Sequence, residues 1–126
     1  LKMDEDPSKE DPILEAEATA LFFGFKSSCG IQLAEEVPGV GGFVGGWLVT
    51  YKREMFDGKL QPVVGFSLAD RSTAPVSMTV PYSLQKACIK VFGVPHGGIS
   101  VANYPGRGET LLIHMQPELL GPHALF

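Results

Sequence analysis

The stretch Trp47–Leu68, WLVTYKREMFDGKLQPVVGFSL, decides the fold. Asp57-Gly58 stands between two β-favouring runs, Trp47–Met55 and Leu60–Leu68. An Asp-Gly pair in that position suits a two-residue turn with φ > 0, which joins two twisted antiparallel strands. A hairpin at the centre of the chain predicts an antiparallel sheet, and the flanking sequence either extends it or covers it.

Downstream, Ala74–Val80 (APVSMTV) alternates Val76, Met78 and Val80 with Ser77 and Thr79, a strand stopped by Pro81. The next segment changes period. In Tyr82–Phe92 (YSLQKACIKVF) Leu84, Ala87, Cys88 and Val91 fall at i, i+3, i+4 and i+7, with Lys86 and Lys90 on another face. This spacing predicts a short amphipathic helix ended by Gly93 and Pro95. Gly97-Gly98 leads into a strand over Ile99–Ala102, Tyr104–Gly108 (YPGRG) forms a turn, and Leu111–Met115 is the last strand.

Upstream, the Gly-rich Pro38–Gly46 (PGVGGFVGG) feeds into Trp47. Before it, Leu21–Leu33 is aromatic-rich and broken by Gly24 and Gly30, as in a bent strand. Leu14, Ala16, Ala18, Ala20 and Phe22 alternate with Glu15, Glu17 and Thr19. That alternation favours a strand, although Asp11-Pro12 is also a start signal for a short helix. The sum is a mainly β, β-rich α+β fold: an antiparallel sandwich or partly open barrel of six to seven short strands with one short amphipathic helix.

The chain has 126 residues, with 44% hydrophobic and 19% charged side chains. This is the size of one domain and leaves no room for a second catalytic lobe. The net charge of −4 is unevenly spread. Residues 1–17 hold seven acids and two lysines, a balance of −5, which leaves the remainder at +1. Residues 1–12 combine this charge with two prolines and read as a disordered acidic arm carrying Asp4, Glu5, Asp6, Glu10 and Asp11. Residues 13–126 read as a single β-rich domain. Leu1 in place of Met suggests a processed product or fragment. The acidic N-terminal stretch is unlike a signal peptide. The longest apolar run, Val37–Val49, covers 13 residues, short of the about 20 that a membrane-spanning helix needs. Two cysteines, Cys29 and Cys88, make no disulfide framework, and reduced thiols point to an intracellular, cytoplasmic setting.

No motif supplies a cofactor or a metal. Gly39, Gly41, Gly42, Gly45 and Gly46 lack the Gly-Lys-Ser/Thr ending of a phosphate loop, since Trp47 follows Gly46. Cys29, Cys88, His96, His114 and His123 lack the paired spacing of zinc ligands. His114, between Ile113 and Met115 in a strand, is expected on the face opposite theirs.

Two surfaces stand out. Phe43, Val44, Trp47 and Leu48 lie on a pliable Gly-rich backbone and suit contact with a partner or a membrane interface. Arg71, Lys86 and Lys90 form a candidate basic face for anionic lipid, RNA or an acidic arm. These imply a non-enzymatic structural or interaction protein that binds itself or another protein. Two other readings remain open: a cysteine-dependent hydrolase or transferase using Cys29 with His96 or His114, and a ligand-binding module using Trp47 and Tyr104.

The order from Val80-Pro81 through the lysine-bearing helix to Gly98-Ile99-Ser100-Val101, with a charged arm leading into Leu21-Phe22-Phe23-Gly24-Phe25, resembles rhabdovirus matrix proteins. The resemblance covers about 20 residues in its main part. It implies a compact α+β domain that self-assembles beneath a membrane, a membrane-peripheral viral matrix- or capsid-like module. The arm here is acidic where that family's is typically lysine-rich, and a Pro-Pro-x-Tyr motif is missing.

Overall fold

A computed structural model describes residues 2–3, 10–29, 39–68, 79–104 and 108–117. The elements in chain order are β1 (Lys2–Met3), α1 (Pro12–Cys29), β2 (Val40–Val44), β3 (Trp47–Phe56), β4 (Lys59–Leu68), β5 (Thr79–Val80), α2 (Tyr82–Phe92), β6 (Pro95–Tyr104) and β7 (Gly108–Met115). The fold is mainly β. Its centre is one open antiparallel sheet in the order β2-β3-β4-β7-β6, with β1 and β5 forming a separate parallel pair.

The central hairpin forms as its sequence requires. Phe56 pairs with Lys59 across Asp57-Gly58, whose φ angles of 51° and 73° are both left-handed. Gly45-Gly46, at φ 55° and 81°, makes an equivalent turn between β2 and β3. The Gly-rich segment is therefore a strand and a hairpin turn. Ten residues of β3 pair in unbroken register with β4, from Trp47↔Leu68 to Phe56↔Lys59.

That register sorts side chains into two faces. Trp47, Val49 and Tyr51 on β3, Val64 and Phe66 on β4, and Leu111, Ile113 and Met115 on β7 point to one side and are buried. Both helices lie on that side. Helix α2 follows the sequence expectation, burying Leu84, Ala87, Cys88 and Val91 and ending at Gly93 (φ 98°), whose N–H donates to Ile89 O at 2.9 Å.

Helix α1 corrects the strand expected over Leu14–Phe22 and the bent strand expected from Leu21, up to Cys29; residues 30–33 lie outside the described residues. The apolar residues that alternate also satisfy a helical stripe, because Ala18, Phe22 and Phe25 at i, i+4 and i+7 are all buried. The N-terminus settles the choice. Asp11 Oδ1 accepts from the N–H groups of Ile13 (3.2 Å) and Leu14 (3.1 Å), and Pro12 occupies the first turn, where its missing donor costs nothing. The described residues thus hold two helices where one was expected.

An aromatic cluster joins the layers. Phe22 meets Phe92 and Phe66 edge-on, at ring-centroid distances of 5.4 and 6.4 Å, and Tyr51 stacks on Phe92 at 4.6 Å. Buried Arg53 donates from Nε to the Tyr51 hydroxyl at 3.0 Å, so one end of this core is polar and hydrogen-bonded.

Of the strand expected over Ala74–Val80, Thr79–Val80 pairs with Lys2–Met3 in the expected arm; residues 69–78 lie outside the described residues. β6 and β7 run longer than expected, with an irregularity in β6 between Pro95 and Ile99.

Candidate functional site: a concave sheet face and an open edge

The expected contact segment divides between the two sides of the sheet. Val44 and Trp47 face each other across β2 and β3, and at 6% and 7% exposure they belong to the core. The expectation of four contact residues is corrected for these two: the β2–β3 hairpin alternates, and its inward positions meet α1. Phe43, 71% exposed, and half-buried Leu48 form the neighbouring pair on the opposite side.

The expected basic face is engaged within the chain. Lys86 Nζ lies 2.8 Å from Glu10 Oε1 and 3.5 Å from Glu15 Oε1, while Lys90 Nζ lies 2.7 Å from Glu15 Oε2. The end of the acidic arm thus docks on its own α2, and the Asp11 N–H donates to Ser83 Oγ at 2.7 Å. Lys90, by its hydrogen bond, holds the Glu15 carboxyl below its ordinary value, and Glu10 raises the Lys86 ammonium in the same way. Asp4, Glu5, Asp6 and Arg71 lie outside the described residues.

Cys88 is buried, its Sγ donates toward Met115 Sδ at 3.8 Å, and burial pushes its thiol up to about 12. Such a thiol is a packing group, because the nucleophile is the thiolate. Cys29 is the last residue of α1, with its side chain outside the described residues. His114 takes the face opposite Ile113 and Met115, as its strand position predicts, and its Nε2 is 3.2 Å from Ser100 Oγ. His96 is exposed. The described residues contain no group of three or more His, Cys, Asp or Glu placed to hold a metal ion.

The side of the sheet away from the helices is concave. The sheet curls enough that Lys52 on β3 and Tyr104 on β6, three strands apart in the order, line one cavity of about 280 Å³. Val63 and Gly65 on β4 and Leu112 on β7 lie between them, with Leu48 and Thr50 along β3. Gly65 lets the Thr50 and Thr110 side chains close over the β4 backbone: a Cβ there would sit 2.6 Å from Thr50 Oγ1 and 3.2 Å from Thr110 Cγ2. Thr110 Oγ1 is buried without a hydrogen-bond partner among the described residues. Lys52 Nζ lies 2.7 Å from Glu54 Oε1, and that hydrogen bond raises its pKa.

Tyr104 was legible as a candidate binding residue, but Trp47 lies on the other side of the sheet. Thr50, Lys52, Val63, Gly65 and Leu112 were missed. For β3 and β4 the signal was present, since a two-residue turn at Asp57-Gly58 fixes Thr50 opposite Gly65 and Lys52 opposite Val63.

The second feature is the edge. β6 ends the sheet order and is unpaired on its outer side among the described residues. Ile99 and Val101, in register with buried Ile113 and Leu111, point to the helix side yet are each 50% exposed. Val94 before the strand and Ile89 on α2 are exposed as well.

The chain matches no known protein family, curated protein or solved structure. No helix among the described residues is long and apolar enough to cross a membrane.

Proposed function

We propose that this chain is a non-enzymatic interaction module whose copies associate edge to edge through β6. The observation that carries the reading is an uncharged strand, unpaired on its outer side among the described residues, with half-exposed apolar residues. From Ile99 to Tyr104 the sequence is ISVANY, without the lysine, aspartate or glutamate that commonly keeps sheet edges apart. A row of free backbone donors and acceptors is completed by another strand, and the side chains select which one.

The strand is complementary to itself. In an antiparallel pairing about Ser100, Ile99 of one copy lies opposite Val101 of the other, twice by symmetry, on the helix side of a continuous ten-stranded sheet. Cross-strand β-branched pairs of this kind stabilise antiparallel ladders, and a two-fold interface needs the same patch on both copies. The resemblance to self-assembling matrix proteins points the same way. Within the acidic arm, Glu10 is held by Lys86 of its own chain. Lipid or RNA binding by Lys86 and Lys90 would first have to displace Glu10 and Glu15.

Sedimentation equilibrium and light scattering across a concentration series test the proposal. The wild-type chain is expected to show a monomer–dimer equilibrium, and Val101→Lys to shift it at least tenfold toward monomer by placing two ammonium groups near one another across the axis. A wild-type chain that stays monomeric at the highest concentration, or a Val101→Lys chain that dimerises equally well, refutes edge pairing.

A further inference from the structure

We propose that the concave face of the sheet is a binding site for a small organic carboxylate: an apolar ring or short chain carrying one anionic head. The inference rests on the cavity between Lys52 and Tyr104 and is independent of association through β6.

The lining has the composition of a ligand site, an apolar floor with a few polar groups at its margin. Leu48, Val63 and Leu112 supply the apolar surface. Gly41 has no side chain and its neighbours leave the Cβ position free, so a flat molecule can approach the backbone closely there. The polar groups are the Thr50 hydroxyl, the Tyr104 hydroxyl and the Lys52 ammonium. Lys52 is the charged residue among the described lining residues, so the field at the cavity favours an anion. Its partner Glu54 is not part of the lining. The Lys52–Glu54 pair is about half exposed on both sides, and ion pairs in water are weak enough for Lys52 to turn toward a competing carboxylate.

Size narrows the class. A cavity of about 280 Å³ holds the volume of about nine liquid waters, at about 30 Å³ each. Benzoate matches that space. With its ring on the apolar floor beside Gly41, Leu48 and Leu112, a benzoate-sized ligand can direct its carboxylate to the Lys52 Nζ and Tyr104 hydroxyl side. A charge-assisted hydrogen bond from Lys52 then gives orientation and apolar contact gives affinity.

The test is a titration of the full chain with benzoate, hexanoate and uncharged benzyl alcohol, followed by backbone amide chemical shifts. Tryptophan fluorescence is a poor reporter because Trp47 lies on the other face. Benzoate is expected to move the amides of Thr50, Lys52, Gly65 and Leu112, and to bind at least fivefold more tightly than benzyl alcohol. Comparable binding of hexanoate marks a chain-tolerant site, and its failure marks one selective for rings; either supports the carboxylate class. Lys52→Gln, an exposed change, should erase the preference of benzoate over benzyl alcohol. Gly41→Leu should abolish binding: its Cβ would stand 3.5 Å or more from its neighbours, so the chain folds while the added side chain fills the mouth. The proposal is overturned if benzoate leaves these four amides unmoved, if it moves only amides elsewhere, or if Lys52→Gln retains the full preference for the anion.

Discussion

The two edge strands of the sheet are alike in sequence character and opposite in condition. β2 reads VGGFV and β6 ends in ISVANY, both without charge. Yet Val44, on the helix side of β2, is 6% exposed, while Val101, on the helix side of β6, is 50% exposed. The difference comes from what lies above them. α1 packs so closely on β2 that a Cβ at Gly42 would stand 2.8 Å from Leu21 Cδ1, and one at Gly45 would stand 2.7 Å from Leu14 Cδ1. Two helices side by side cover about 20 Å at about 10 Å each. Five strands span about 24 Å at about 4.8 Å apart. The helix layer is therefore about one strand too narrow, and the uncovered strand is β6.

The comparison breaks most sharply at Phe22. Its ring joins α1 to the sheet through Phe66 and to α2 through Phe92, and Phe22→Ala is expected to cost about 4 kcal/mol in urea denaturation. Native-state hydrogen exchange should show β2 amides losing protection more than those of β6. Equal loss at both edges would mean that α1 does not close β2 selectively. A matched pair then sharpens the point. Val44→Ala should cost about 2 kcal/mol and Val101→Ala less than about 0.5 kcal/mol, measured at concentrations too low for association, because the same loss of two methyl groups empties a packed site at one edge and a wet one at the other. Similar costs at both positions would contradict the incomplete cover.

These edges also separate what could be read from the sequence from what could not. Helix α2 was legible because one face is apolar and the other carries Lys86 and Lys90, so only one period fits. The central hairpin was legible because Asp57-Gly58 carries its own backbone geometry. Helix α1 was misread because Ile13 and Phe23 are exposed and apolar, and Ala16 and Ala20 lie on the same outer side. With apolar residues on both sides, periods of two and of 3.6 fit the same letters, and only the Asp11-Pro12 start distinguished them. Val44 and Trp47 were misplaced for a related reason, since glycine-rich sequence signals flexibility whether or not a strand pairs through it. The concave face was legible in part. Thr50, Lys52, Val63 and Gly65 follow from the hairpin register, but bringing Leu112 and Tyr104 to them depends on the sheet order and its curl, which are long-range properties.

The smallest expected effect concerns the clasp between the helices, where Glu15 meets Lys86 and Lys90. Lys90 holds the Glu15 carboxyl below the ordinary value of 4.5, so the folded chain binds this proton less readily than the unfolded one. The stabilisation is present in full above pH 4.5 and is lost as the pH falls through the lowered folded value. Glu15→Gln removes the titrating group. Its melting temperature should lie slightly below that of the wild type at neutral pH, and the gap should close on acidification. Added salt should narrow the gap too, because the lysines are about half exposed and screened by solvent ions. A gap independent of both pH and salt would show that Glu15 contributes through packing alone. The clasp lies between α1 and α2, so Glu15→Gln should leave the association of copies through β6 unchanged: the interactions that hold the helix layer together are separate from the edge that this layer fails to cover.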